Sequence, residues 1–289
     1  MVAAPGKIER AAADRVKTDR RDAERLVRLL MINALVPVRV PGDEEEALRD
    51  LVRAREDLRG DLMRARHRLS KLLLRHDVRY EDTTSAWNDR HRAWLAKVEL
   101  GERGARATLC DYIGAIDALV VRRDSLEATI AELIPGSPLE IAVSRLRCLR
   151  GIDTLSAVGL AAEIGDFTRF ERPAQLMSYL GLIPSEHTSG ETRRQGAITK
   201  TGSRHARRLL VEAAWHHRRP PRHGTTLRRR QEGQPSAAVA ISWKAQQRLH
   251  HLWRRLDTKR GKRRTIVAVA VARHLAGFCW AIVTTPHQP

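Results

Sequence analysis

Apolar residues recur along most of this chain at the three- and four-residue spacing of a helix face. From Thr18 to about Ala34, Leu26, Leu29, Leu30 and Ile32 form one stripe, and Thr18 is placed to cap the first turn. Residues 44–80 carry Leu48, Leu51, Val52, Leu58, Leu62, Leu69, Leu72 and Leu73 among Arg, Glu and Asp, which predicts a long amphipathic helix. A similar run from about Ala105 to Leu133 carries Leu109, Ile113, Ile116, Leu119, Val120, Leu126 and Ile130 and stops at Pro135-Gly136. Two long charged helices joined through Tyr80 to Gly104 predict an antiparallel coiled-coil hairpin, either an internal arm or an oligomerisation surface. A plain helical spacer accounts for the same pattern.

After Ser137-Pro138 the apolar content rises. Leu146 to Phe170 reads as two helices around Leu149-Arg150-Gly151-Ile152-Asp153, a helix-hairpin-helix pattern. In such a turn the backbone N–H groups at a helix start can hold a phosphate without reading sequence, although a Gly-Ile turn also makes ordinary helix corners. Thr265 to Ile282 is the longest apolar stretch, but Arg273 and His274 interrupt it and dense positive charge precedes it, so it reads as a buried helix with no membrane role. Met1 to Pro5 is a short apolar run without an evident partner strand, and Val36 to Gly42, with two prolines, reads as a connector. Arg218 to Pro235, rich in Arg, Pro and Gly, reads as a mobile loop. The chain is therefore expected to be mainly α, in three parts: 1–43, a helical arm over 44–136, and an α-rich domain over 137–289.

Charge sharpens this picture. Between Glu191 and Arg264 there are 21 Lys and Arg against four acids, whereas the rest of the chain carries 32 bases and 30 acids. The net charge of +19 is thus concentrated in one segment, the footprint of a polyanionic partner rather than a general solubility device. Three widely spaced cysteines, Cys110, Cys148 and Cys279, suggest neither a zinc knuckle nor a disulfide framework and point to a reducing compartment.

Two constellations could carry chemistry. Asp19 and Asp22, three residues apart at a helix start, share a face and could contribute to a site for a hard divalent cation. Taken alone, such a pair beside Lys17, Arg20 and Arg21 is more often a helix-terminal charge network. The second is Gly181-Leu182-Ile183-Pro184-Ser185-Glu186-His187-Thr188-Ser189-Gly190, followed by Arg193, Arg194, Lys200 and Arg204. A hydroxyl attacking a phosphodiester needs nearby positive charge to stabilise the developing phosphorane, and this Gly-punctuated loop offers both. Its hydroxyls could equally serve only as turn residues.

KTDRRDA at 17–23, the Leu146–Phe170 stretch, GLIPSEHTSGETRRQGAITKTG at 181–202 and ARRLLVEAAW at 206–215 resemble, in order, the signatures of the IS110/IS116/IS902 transposases. The resemblance implies a RuvC-like α/β domain with a DEDD carboxylate set, and a C-terminal Tnp domain with a nucleophilic serine guided by a bridge RNA. On that reading 1–43 is a remnant of the RuvC-like domain and 137–289 is the Tnp domain. Asp19 and Asp22 match the last two carboxylates and imply Mg2+, while Ser189 matches the nucleophile, with Thr188 and Ser185 as alternatives. Arg150, Gly151, Arg193, Arg194, Lys200, Arg204, Arg228, Arg229 and Arg230 are the expected nucleic-acid contacts. The partners implied are DNA, the guide RNA and further copies of the chain, at the nucleoid of a bacterial cytoplasm. The first Asp and the Glu of the set precede KTDRRDA in the family, and only 18 residues precede Asp19, so the resemblance implies a front-truncated domain whose last strand is Val2-Ala3-Ala4-Pro5 and whose activity is impaired. A second reading is an inactive nucleic-acid-binding fragment that co-assembles with, or regulates, intact transposase.

Overall fold

A computed structural model describes residues 1–4, 8, 16, 18–81, 86–186 and 195–286. It is mainly helical, with one two-stranded sheet among the described residues. The chain divides into two compact units, Met1–Asp43 and Glu44–Pro289.

The first unit is built on α1 (Asp19–Met31). Thr18 caps it, its hydroxyl accepting from the Arg21 amide at 3.4 Å, and Asp19 and Asp22 in the first turn and Arg28 in the last match the helix dipole. No residue of α1 is buried, and Leu26, Val27, Leu30 and Met31 are exposed. The apolar N-terminal run does find a partner, contrary to expectation. Ala3 forms an antiparallel bridge with Pro37, and the Val38 amide donates to the Val2 carbonyl at 2.8 Å. The pairing stops at one bridge because Pro37 has no N–H to continue the ladder.

In the second unit, α2 (Asp43–Arg75) and α4 (Arg103–Leu133) form the expected long helices, with the short α3 (Asp89–Leu95) in their connection. They run antiparallel: Arg55 of α2 pairs with Glu127 of α4 at 2.5 Å, and farther along Leu69 lines one cavity with Ile113 and Ile116. Leu62, Leu69 and Leu72 bury against Leu109, Ile116, Leu95 and Leu100 in a core of their own. At the other end of the pair, Leu48, Val52, Ile130 and Ile134 enter the main core.

That core is assembled by α5 (Glu140–Leu146), α6 (Thr154–Ile164), α7 (Pro173–Tyr179), α8 (Arg204–Ala214), α10 (Ser236–Arg254) and α11 (Arg264–Val283). The last of these is long and apolar enough by composition to cross a membrane, but Val267, Val271, Leu275, Cys279 and Ile282 are buried against the rest of the fold. It packs on α5, α7, α8 and α10, as the sequence reading of a core helix requires. The guanidinium of buried Arg145 on α5 donates to the Thr285 carbonyl at 2.9 Å and to that of Ile282 at 3.4 Å, satisfying groups that the end of α11 leaves open.

The Arg218–Pro235 segment departs from expectation. It contains a helix, α9 (Thr225–Gln231), anchored by buried Leu227. Arg230 fixes it further by donating to the Ile152 carbonyl at 3.1 Å, and the Gln231 side-chain amide donates to the Cys148 carbonyl at 3.2 Å. Proline and glycine at 220, 221, 224 and 233 bound this helix rather than dissolve the segment.

Candidate nucleic-acid interface

The Leu149–Asp153 turn lies between α5 and α6. Gly151 has φ +88°, and a Cβ there would come within 2.6 Å of the Ala213 carbonyl, so the position demands glycine both for its conformation and for the approach of α8. The following helix is capped by Asp153, which accepts from the Ser156 amide at 2.8 Å. Arg150 turns inward: its Nη1 donates to the carbonyls of Pro220 at 2.7 Å and Arg219 at 3.2 Å. Burial first, then the charges of Arg222 and Arg219, holds its pKa below the ordinary arginine value.

Arg150 and Arg230 therefore serve two ends. They fasten the 219–230 segment to the turn, and they line an open cavity of about 740 Å³ together with Arg219, Arg222, Trp215 and His216. Arg219 and Arg222 make no ion pair among the described residues. His216 is held below its ordinary pKa by burial and then by Arg150, Arg219 and Arg230. The cavity is thus a region of crowded positive charge. Among the residues lining it, sequence reasoning named Arg150, Gly151 and Arg230 and did not name Arg219, Arg222, Trp215 or His216. The signal was the Arg219-Pro220-Pro221-Arg222 run, masked by reading the whole segment as a loop.

Arg228 and Arg229 lie exposed on α9. Arg204 is exposed at the start of α8, and Lys200 is exposed with φ +58°. Lys200 follows the sheet, in which β1 (Pro184–Glu186) pairs antiparallel with β2 (Gln195–Ile198). The base of this hairpin is pinned to α8. Arg207 donates to the carbonyls of Leu180 at 3.2 Å, Gly202 at 3.1 Å and Thr201, and Gly202 at φ +68° sits so close to the Tyr179 carbonyl that no Cβ fits. Ser185 is half-buried on β1, and a Cβ at Gly196 would come within 2.5 Å of its Oγ. Thr188, Ser189, Arg193 and Arg194, between the two strands in sequence, lie outside the described residues.

Asp19 is exposed on α1, and Asp22, half-buried, accepts from Arg25 at 3.0 Å. No group of three or more His, Cys, Asp or Glu that could hold a metal ion occurs among the described residues. A two-carboxylate group with one member engaged by an arginine does not by itself fit a divalent cation that prefers several hard oxygens.

A second charged cluster was not foreseen. Glu56 of α2 accepts from Arg59 at 2.8 Å and from Arg208 of α8 at 2.7 Å, with His205 at 3.7 Å. Burial pushes the Glu56 carboxyl up, but the Arg59 hydrogen bond and the Arg208 charge outweigh it and hold it below its ordinary value. Glu163 behaves alike: burial raises it, and the hydrogen bonds of Arg53 and Ser203 bring it below normal. Burial holds His205 low, with Glu56 opposing. The cluster ties the root of α2 to α6 and α8.

Residues 143–228 match the family model "Transposase IS116/IS110/IS902 family", and residues 2–76 match the DEDD transposase model of the IS110 group. Because that second match begins at residue 2, it does not show the front of the domain to be missing. Enzymes of the DEDD family usually use a divalent metal. The chain is 42% identical over 288 residues to transposase y4qE of Sinorhizobium fredii, covering 100% of this chain and 70% of that one. It is 35% identical over 267 residues to the transposase for insertion sequence element IS1533 of Leptospira borgpetersenii, covering 90% and 75%. A shorter match, 34% over 70 residues, joins it to the transposase for IS1111A of Coxiella burnetii, covering 24% of this chain and 19% of that one. With both family models matched in order and relatives of 42% and 35% identity aligned over most of the chain, the chain belongs to the IS116/IS110/IS902 family of transposases.

Proposed function

We propose that this chain binds DNA through the basic surface of its C-terminal domain and takes part in serine-mediated strand exchange of an insertion sequence. The observation that carries the binding half is the set of arginines at 219, 222, 228 and 229, which no carboxylate among the described residues neutralises. Phosphates would neutralise them and release counterions, giving affinity that falls steeply with salt. Arg204 and Lys200, exposed at the foot of the hairpin, add to the positive charge of this domain. Arg193 and Arg194 are assigned to the same role by family position.

Ser189 is the proposed nucleophile. Its Oγ would bond to a DNA phosphorus while the bond to the departing sugar oxygen breaks, leaving a protein–DNA phosphodiester. Ser185 is the poorer choice, since its hydroxyl is half-buried against β2. Guidance by a bridge RNA and assembly of several copies through the α2–α4 arm complete the reading from the family. Asp19 and Asp22 are the carboxylates assigned to Mg2+ by family position. As placed, two carboxylates alone do not make a divalent-cation site. We accordingly expect the chain by itself to bind nucleic acid and to give no strand exchange, with action at the bacterial nucleoid.

The test is a covalent-adduct assay on a nicked suicide DNA substrate with magnesium, run on this chain, its Ser189→Ala variant and the longer Sinorhizobium fredii relative. DNA retention on all three, with adduct only from the relative and its loss when the matching serine is replaced, is the expected pattern. An adduct from this chain would refute the inactivity. An adduct from the relative that survives loss of its serine would refute the nucleophile. The alternative reading, a binding fragment that regulates intact transposase, draws on the exposed apolar face of α1 and predicts co-purification of this chain with the tagged relative.

A further inference from the structure

The cavity between the 149–153 turn and α9 has a feature that backbone contact with a duplex does not require. Trp215, on a short 3-10 turn after α8, is 38% exposed and lines the cavity. Its ring leans at 55° on buried Trp253, with ring centres 5.3 Å apart, so the indole is held in place from behind. Facing the same space are Arg219 and Arg222, without ion-pair partners among the described residues, and the two fastened arginines, Arg150 and Arg230. Asp153 is the one carboxylate in the lining, and it already accepts the Ser156 amide. The volume, about 740 Å³, lies within the range of roughly 300–1,000 Å³ typical of sites that enclose a small ligand. An aromatic ring with flanking cations fits one planar base and its phosphate, as in single-strand binding sites.

Resting on the nucleic-acid reading above, we propose that this cavity receives a single unstacked nucleotide of a DNA or RNA strand, with its base against Trp215 and its phosphate between Arg219 and Arg222. The duplex surface at Arg228 and Arg229 would then be a separate contact, so the chain would hold a paired region and a frayed or single-stranded nucleotide at once. Extruding a base is least costly where it is already unpaired, which favours junctions, loops and overhangs over intact duplex.

The experiment measures affinity by anisotropy, using the whole chain and three probes: a blunt DNA hairpin, a short single-stranded DNA containing 2-aminopurine, and an RNA of the same sequence. Stacking on Trp215 should quench 2-aminopurine on binding. Trp215→Ala should abolish the quenching and weaken single-strand binding about tenfold or more, while hairpin binding changes less than about twofold. Trp215→Phe should keep most of both. Arg222→Glu, at an exposed position, should give a similar loss of single-strand affinity without touching the Trp215–Trp253 packing. Whichever of DNA or RNA shows the Trp215-dependent quenching identifies the strand. Single-strand binding and quenching that survive both Trp215→Ala and Arg222→Glu would overturn the pocket while hairpin binding still upheld the general reading. A chain that binds no probe would overturn both.

Discussion

The helical arm and the segment from 215 to 230 are both rich in arginine, yet they use it in opposite ways. Along α2 and α4, Arg49 pairs with Glu46, Arg55 with Glu127, Arg59 with Glu56, Arg64 with Asp61 and Arg123 with Asp124. In the second region Arg150 and Arg230 are spent on backbone carbonyls, and Arg219, Arg222, Arg228 and Arg229 meet no carboxylate among the described residues. In these arm pairs the residue type is charge-compensated scaffolding, and in the second region it is uncompensated field. Composition counts both alike; the pairing separates them, and long-range attraction of a polyanion comes chiefly from charges without such a partner.

The sharpest way to break this contrast is to reverse the uncompensated set. Arg219→Glu, Arg222→Glu, Arg228→Glu and Arg229→Glu together should weaken nucleic-acid binding on the order of 100-fold at physiological salt. The log–log salt slope should become shallower by about 0.9 for each phosphate that is no longer neutralised. Filter binding across a salt series measures both, and an unchanged slope would locate the interface elsewhere. Arg230 is left out because losing its bond to Ile152 would confuse binding with folding.

Next comes the junction where paired charges do structural work. Glu56→Gln should lower stability by roughly 1–3 kcal/mol, since it leaves Arg59 and Arg208 short of a partner in a partly buried site. Glu56 and Glu163 are both held below their ordinary pKa, so they bind fewer protons folded than unfolded. Their contribution is complete above the unfolded pKa and disappears as pH falls below about 4. Thermal melts should therefore show the gap between wild type and Glu56→Gln narrowing on acidification, and a gap that widens would contradict the assignment.

The smallest effect should come from the exposed arm pairs. Arg64→Glu and Arg123→Glu should change stability by less than about 1 kcal/mol and leave nucleic-acid affinity nearly unaltered, because such pairs are worth little in water. A large drop in affinity from these two would mean that the arm is itself a binding surface.

The long helices were legible because one apolar stripe per helix is a local pattern. Leu48 through Leu73 and Leu109 through Ile130 announce the arm without reference to anything distant. The burial of α11 was legible because Arg273 and His274 sit badly in a membrane span. What escaped depended on partners far away in sequence. Pro37 pairing with Ala3, Glu56 meeting Arg208, and Arg150 reaching the 219–220 carbonyls are all long-range, and no window along the chain holds both members. The 218–235 segment was misread because its Pro and Gly positions are strong breakers, whereas one buried leucine and two side-chain bonds to the 148–152 turn decide its fold. Of the candidate site, Gly151, Arg150 and Arg230 are brought together, Arg204 and Lys200 stand near the hairpin foot, and Ser189 is assigned by position in the family pattern alone.

Because α11 supplies surface to α5, α7, α8 and α10, the order of synthesis matters. A growing chain can zip α2 against α4 as soon as both have left the ribosome, since that pairing closes within about ninety residues. The main core has no such freedom: until residues 264–283 emerge, α5, α7, α8 and α10 lack a helix they pack on. The core of this unit therefore closes after the arm, once α11 can join it. A stop codon anywhere before residue 264 would remove the helix that packs on α5, α7, α8 and α10, exposing apolar surface that invites aggregation.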